Sequence, residues 1–309
     1  MAKTINYSFI TELPGLKATE EQISRLYQRY YFVRQFANNK DVLEVACGSG
    51  VGLGYLAEVA GTVIGVDIDE KNVNLVRKYY KGKDERGFRE DKKLRRWEGD
   101  GNERFGRWED EKQKIEDGSK NSEVRIQSTD KKCKIKVDLM DAHDLKFLDK
   151  SFDIVLLYEA MYYLKDPEKF VLEAERVLRE DGKLIMCTVN KDWEDFHPSP
   201  YTFKYFSVPE LYALLKSKFH EIEMYGSFRI NDSGVKNKLI SLIKRTAVKF
   251  NLIPGSLKAR AYLKRVFMGR LVPLPNEVYE DMAPYEPPVP ISIDKVNKDF
   301  KIIYAVARK

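Results

Sequence analysis

The stretch VLEVACGSGVG, residues 42–52, decides the reading. An apolar, β-branched run carrying Glu44 breaks into glycines at 48, 50 and 52, and an apolar helical pattern follows. Glycines at such a point let the backbone turn tightly and approach a ligand, while the start of the helix offers free N–H groups. Several nucleotide-binding families use this kind of turn, so it is not specific by itself. The next run, TVIGVD (62–67), ends in Asp67, nineteen residues after Gly48, where a carboxylate can accept both hydroxyls of a ribose. The pair is far more specific than either feature alone. A dinucleotide fingerprint G-x-G-x-x-G fails, because counting from Gly48 and Gly50 puts Leu53 in the third glycine position. Gly52, Gly54 and Ala57 fit G-x-G-x-x-A but fall inside the expected helix, too far from the strand for phosphate contact. No GxxxxGK[ST] run exists, which excludes a P-loop.

Outward from this point, short β-branched runs alternate with longer helical patterns. VLEVA (42–46), TVIGVD (62–67), IKVDL (135–139), FDIVLLY (152–158), KLIMCTV (183–189), EIEMYG (221–226) and KIIYAVA (301–307) read as strands. Helices are expected over 51–60, 70–81, 167–179 and 208–218. The last of these has Ser207 as N-cap, Pro209 in the first turn and Glu210 three residues after the cap. Strand and helix in regular succession predict an α/β, doubly wound, Rossmann-like and mostly parallel sheet, with ligands at the carboxyl ends of its strands.

The charge is unevenly placed. The chain has 309 residues, 33% of them charged, with a net charge of +6. Residues 83–132 hold 15 basic and 14 acidic residues and few apolar ones, which reads as a solvated insertion. Residues 234–270 hold ten Lys and Arg and no acid, more than the whole net charge. Within 235–250, apolar residues recur at helical spacing between the basic ones, a pattern suited to an anionic membrane surface or a phosphate-bearing acceptor, or to a solvated basic face. Three cysteines, Cys47, Cys133 and Cys187, without a CxxC pair, argue against a disulfide framework or a structural zinc, so no metal is expected. No apolar run approaches the length needed to span a bilayer, and the N-terminal residues lack a signal-peptide core. A cytoplasmic protein, at most peripheral to a membrane, is the expectation.

The ordered motifs resemble those of the class I S-adenosylmethionine-dependent methyltransferases: EVACGSG (44–50), with Ala46 in place of the first glycine, GVDID (65–69), DAHDLKF (141–147), SFDIVLLYEAMYYL (151–164) and LREDGKL (178–184). The resemblance covers about residues 25–226, interrupted by the insertion. It implies a seven-stranded sheet with an antiparallel last strand, and S-adenosyl-L-methionine as cofactor. Glu44 and the backbone from Ala46 through Gly48 to Gly50 would face the methionine part, Asp67 would hold the ribose and Ile68 would lie against adenine. Asp141, followed by Ala142, would bond the adenine amino group. Tyr158 and Glu159 would border the methyl group, Glu159 being a candidate catalytic residue. In RLYQRYYFVRQF (25–36), one of Tyr27, Tyr30 and Tyr31 would touch the cofactor carboxylate, with Tyr31 carried as the candidate. Structural alternatives stand beside these roles: Asp67 as a cap of the following helix, Glu44 as a strand-terminal acid, and Asp141 as a turn residue.

On this reading residues 1–309 form a single methyltransferase domain. It has an N-terminal helical cap (1–40), the insertion 83–132 on the side away from the cofactor, and an acceptor-side lid (227–300). An oxygen acceptor needs a base, for which His197, in the aromatic loop 191–206, is the preferred candidate. The segment 203–227 further resembles a subgroup of glycan and polysaccharide pathways, which implies a small-molecule or glycan-type acceptor. The alternatives are an RNA or protein methyltransferase using the basic lid, or a non-catalytic cofactor-binding scaffold. YEAM (158–161) stands where an NPPY-type motif would be, which makes a nucleic-acid acceptor unlikely on sequence grounds.

Overall fold

The computed structural model describes residues 12–86, 124–125, 134–230 and 271–309. Along the chain lie β1 (Lys17–Thr19), α1 (Glu20–Arg34), β2 (Asp41–Val45), α2 (Leu53–Ala57), β3 (Thr62–Asp67) and α3 (Glu70–Arg86). They are followed by β4 (Val124–Arg125), β5 (Lys134–Leu139), β6 (Phe152–Tyr158), α4 (Pro167–Val177), β7 (Leu178–Val189) and α5 (Val208–Lys216). Then come β8 (Glu221–Arg229), β9 (Leu271–Pro273), β10 (Val289–Pro290) and β11 (Phe300–Arg308).

Local chemistry sets the helix starts. Thr19 accepts from the Gln22 amide while the Gln22 side chain bonds back to Thr19, and Ser207 with Glu210 repeats this reciprocal box at α5. Asp166 accepts from the Lys169 amide ahead of Pro167 at α4. Helix α2 is shorter than the expected 51–60. Gly52 lies so close to α1 that a β-carbon there would stand 1.9 Å from the Tyr30 ring, and one at Gly54 would collide with Glu277. These glycines serve close packing rather than a phosphate, and with Gly52 as N-cap and Gly54 in its first turn the helix gains little from propensity.

The sheet runs β10-β8-β11-β7-β6-β2-β3-β5-β4. Pairs β2–β3, β2–β6, β3–β5 and β6–β7 are parallel, and β11 lies antiparallel between β7 and β8. The seven expected strands are all present, and two two-residue strands, β4 and β10, extend the edges to nine. Strand order reverses between β2 and β6, so the connections leaving their carboxyl ends run to opposite faces of the sheet and leave a crevice. Period-two alternation divides the core. Val42, Ile154, Leu156, Ile302 and Tyr304 face α1, α2 and α3, whereas Leu43, Val155, Leu157, Ile303 and Ala305 face α4 and α5. Such two-sided burial explains why these strands read as continuous apolar runs. Cys47 and Cys187 are buried and unpaired. No described helix is long and apolar enough to cross a membrane.

Most of the insertion 83–132, and the basic segment 234–270 with its expected amphipathic helix, lie outside the described residues. The described part of the expected acceptor-side lid takes a different course. β9 pairs with β1, and Glu280 accepts from Tyr27 Oη (3.2 Å) and Tyr55 Oη (2.9 Å), while Glu277 accepts from Tyr80 Oη (3.1 Å). None of the described residues 271–300 lines the crevice. These carboxylate–tyrosine bonds draw the segment onto α1, α2 and α3, outside the crevice.

Candidate functional site

The crevice at the switch point is walled on one side by strand tips. Glu44, in β2, is 2% exposed; Tyr30 Oη donates to its Oε1 at 2.6 Å, and its Oε2 meets no hydrogen-bond partner among the described residues. Burial pushes the Glu44 pKa up to about 7, against the Tyr30 bond and the Arg29 guanidinium, which hold it down. Past β2 the chain turns through left-handed backbone at Ala46 (φ 56°), Gly48 (φ 56°) and Gly50 (φ 67°). A non-glycine residue in this region stores strain that the surroundings must hold in place.

Asp67, at the tip of β3, fastens that loop. Its Oδ2 accepts from the Gly48 amide (2.8 Å), and its Oδ1 accepts from the Asp69 amide (2.8 Å) and Asn72 Nδ2 (3.1 Å). The capping alternative is therefore real, since the same carboxylate ties the start of α3 to the glycine loop. Burial raises its pKa, and the three donors oppose the rise. Ile68, 47% exposed, stands beside it in the crevice. Farther along, His143 Nε2 accepts from the Asp166 amide (3.2 Å), so Nδ1 carries the hydrogen given to Asp141 Oδ1 (2.6 Å). His143 thus aims Asp141, which lines the crevice with Ala142.

At the tip of β6, Tyr158 lines the crevice and donates from Oη to the Arg29 carbonyl oxygen (3.0 Å). Glu159 follows in the left-handed region at φ 50°, with Tyr162 Oη donating to its Oε2 at 2.9 Å. Burial raises the pKa of Glu159, while Arg25, Arg29 and the Tyr162 bond pull it down. The result is a carboxylate lining the crevice, without a direct ion pair among the described residues and held by the Tyr162 bond.

The opposite wall comes from α1 and the chain before it: Glu12, Gln22, Arg25, Arg29 and Tyr30. Of the three candidate tyrosines only Tyr30 is there. Tyr31, expected to touch the cofactor, packs instead on Tyr285 and Tyr27, with ring centroids 4.1 and 5.5 Å away, and Tyr27 bonds Glu280, so neither of them lines the crevice. Gly50 also stands back from the crevice. A β-carbon there would meet Val76 at 2.8 Å, so the glycine lets α3 pack under the loop. His197 is exposed on the loop after β7 and does not line the crevice, although Phe196 of the same loop packs edge-on against Tyr205, which stacks on Tyr162. The loop therefore buttresses Glu159 through rings rather than offering His197. Sequence reasoning brought Glu44, Ala46, Gly48, Asp67, Ile68, Asp141, Ala142, Tyr158 and Glu159 together but missed Arg25 and Arg29. Their signal was a pair of arginines four residues apart, and so on one face, inside a helix rich in aromatic residues.

A family model described as a methyltransferase domain matches residues 43–94 and 116–186. A probable S-adenosylmethionine-dependent methyltransferase of Mycolicibacterium smegmatis is 26% identical over 217 residues, covering 68% of this chain and 63% of the relative. One of Mycobacterium tuberculosis is 26% identical over 208 residues, covering 64% and 56%. A ubiquinone biosynthesis O-methyltransferase of Pelagibacter ubique is 28% identical over 222 residues, covering 71% and 69%. The chain spans somewhat less than two thirds of the length of the first two relatives. Among solved structures, a Thermotoga maritima S-adenosylmethionine-dependent methyltransferase, described as a possible histamine N-methyltransferase, matches with a TM-score of 0.49. It is 14% identical, and the match covers 94% of this chain and 91% of that one.

Proposed function

This chain is built on the class I S-adenosylmethionine-dependent methyltransferase domain, and from that premise we propose that it methylates an oxygen of a small-molecule or glycan-type acceptor at the crevice between β2 and β6. The observation that carries the oxygen reading is Glu159. It is a carboxylate at a strand tip, in left-handed backbone, raised in pKa and lining the crevice. The Pelagibacter relative, named for O-methylation, points the same way.

The residues fit the cofactor on their own chemistry. The enclosed Glu44 Oε2 without a partner suits an ammonium group, and the backbone at Ala46 and Gly48 keeps the loop clear of side-chain bulk. Asp67 and Asp141 would hold the ribose and adenine ends, with Ile68 against the base. S-adenosylmethionine supplies, when bound, a methyl group on a sulfonium whose leaving group is already activated. The protein's share is therefore alignment, exclusion of water and management of one proton. Glu159 takes the acceptor hydroxyl proton, and Tyr162 fixes the carboxylate that receives it. Because the base must be ionised, the rate rises with pH through the raised Glu159 pKa.

Mass spectrometry of a metabolite extract incubated with the protein and methyl-labelled S-adenosylmethionine tests the proposal. Label is expected on an oxygen of a small molecule, at a rate that falls about 100-fold or more in Glu159→Gln while S-adenosylhomocysteine binding by calorimetry stays within threefold. Transfer to nitrogen or to RNA, or a Glu159→Gln variant as fast as the parent, would overturn it.

A further inference from the structure

The connection between β7 and α5 carries six aromatic residues, and the fold accounts for four of them. Lys301 Nζ stands over the Trp193 ring (5.7 Å to the centroid), Phe196 packs on Tyr205, Tyr205 stacks on Tyr162, and Phe206 is 1% exposed. Tyr201 and Phe203 are different. They are 44% and 47% exposed, and neither ring meets another ring or a cation among the described residues. Two large rings left in water forgo the stabilisation of burial, yet the turn that presents them is tightly held. Ser199, between Pro198 and Pro200, accepts at its carbonyl oxygen from the Thr202 amide (3.3 Å) and from Thr202 Oγ1 (2.7 Å), and its own amide donates to Tyr205 Oη (3.3 Å). The Phe203 amide donates to the Tyr162 carbonyl oxygen at 2.8 Å, which joins the turn to the residue whose hydroxyl holds Glu159.

We propose that Tyr201 and Phe203 are a stacking platform for a sugar ring of a neutral glycan acceptor whose reacting hydroxyl lies at Glu159. The inference rests on the oxygen-methylation reading above and deepens it by choosing the acceptor class and placing a second contact for it. Continuity with the catalytic wall is the first ground, through the bond of Phe203 to Tyr162. Charge is the second. Between residues 196 and 206 the only Lys, Arg, Asp or Glu is Lys204, so this surface offers little to a phosphate chain or an anionic membrane. The third is the way the rings are spaced by polar groups. With Thr202 between them and Ser199 and Lys204 on either side, they do not form the continuous apolar patch that a lipid chain requires. A pyranose is built to match: the C–H bonds of its face meet the negative face of an aromatic ring, while the hydroxyls of its rim remain with water and polar side chains. Neither ring lines the crevice itself, so an acceptor that meets both the platform and Glu159 extends past the crevice mouth, as a chain does and a single sugar does not.

Saturation-transfer NMR and calorimetry of the full chain loaded with S-adenosylhomocysteine test this against maltohexaose, cellohexaose, mannohexaose and chitohexaose. At least one hexasaccharide is expected to bind, and more tightly than its monosaccharide. The double variant Tyr201→Ala with Phe203→Ala should weaken that binding about tenfold or more, at roughly two- to tenfold for each ring. Both rings are exposed, so its unfolding midpoint and its affinity for S-adenosylhomocysteine should stay those of the parent. Tyr201→Phe and Phe203→Tyr keep the rings and should bind within about threefold of the parent. In methyl transfer to the same hexasaccharide the double variant raises KM with little change in kcat, whereas Glu159→Gln lowers kcat and leaves hexasaccharide binding intact. The inference is overturned if no hexasaccharide binds, if the double variant binds as the parent does, or if phenol or phosphatidylglycerol vesicles bind in place of the sugars and are lost with the two rings. A hexasaccharide held by the two rings but left unmethylated would instead remove the oxygen-methylation reading and leave the platform standing.

Discussion

On the strand-tip wall of the crevice, Glu44, Asp67 and Glu159 stand where a doubly wound sheet must end its strands, whereas on the facing wall Arg25, Arg29 and Tyr30 are present because one helix docks in one rotational setting. The first wall is fixed by backbone: parallel pairs on both sides of β2, left-handed residues at 46, 48 and 50, and Asp67 bonding the loop amide. The second is fixed by side chains, chiefly Tyr30 on Glu44 and the tyrosine–carboxylate bonds to Glu280. A wall held by backbone admits little repositioning, while one held by side chains can be retuned or displaced. Substitutions on the first should therefore be the more damaging.

Asp67→Ala puts this to its strongest test. It leaves the Gly48 amide, the Asp69 amide and Asn72 Nδ2 without their shared acceptor. A loss of about 3 kcal/mol in urea unfolding is expected, from about 1 kcal/mol for each of the hydrogen bonds lost. S-adenosylhomocysteine affinity should fall at least about 100-fold, since the proposed ribose contact and the loop shape would be lost together. A drop of less than tenfold would mean that the loop holds itself and that the contrast between the walls is wrong.

Glu44 belongs to the first wall but is tuned from the second, and pH exposes this. With its pKa raised from 4.5 to about 7, the folded chain keeps a proton between those values that the unfolded chain has released. Stability is therefore greatest below the unfolded value and declines as pH rises through the folded one, by up to about 3 kcal/mol at roughly 1.4 kcal/mol per unit. The excess stability of the parent over Glu44→Gln, from urea unfolding, should shrink by that order between pH 5 and pH 8. A flat difference would place Glu44 in contact with water.

The same contrast governs what could be read in advance. Strand tips are legible because a strand's end is written into the chain as a β-branched run meeting glycine or an acid, and the winding order carries those ends to one edge. Spacing alone marks the glycine loop and Asp67, while Glu44, Asp141 and Glu159 are singled out through the resemblance to the methyltransferase motifs. Helix α1 gave no such phase. Leu26, Tyr27, Gln28, Arg29, Tyr30, Phe32 and Val33 are all buried, so no apolar stripe marks its inner face. His197 was misplaced for a related reason, since leaving β7 at the carboxyl edge fixes where its loop begins and not where it travels. The path of 271–285 was hidden too, because Glu277 and Glu280 find their partners on three helices distant in sequence.

Tyr30 and Tyr31 give the smallest effect and the sharpest discrimination. Adjacent residues on a helix point about 100° apart, so exchanging their roles requires α1 to turn by that angle. Tyr30→Phe removes the one described hydrogen bond to Glu44, which should cost about 1–2 kcal/mol and move the Glu44 titration to still higher pH. Tyr31→Phe keeps the ring that packs on Tyr285 and should change stability by less than about 0.5 kcal/mol, leaving the titration where it was. If both substitutions shifted the titration equally, Glu44 would be sensing general loosening of α1 rather than one hydroxyl. If only Tyr31→Phe shifted it, the helix would be docked a quarter turn away, and Arg25 and Arg29 would leave the crevice with it. Two conservative substitutions and one pH titration therefore decide whether the facing wall is the one described.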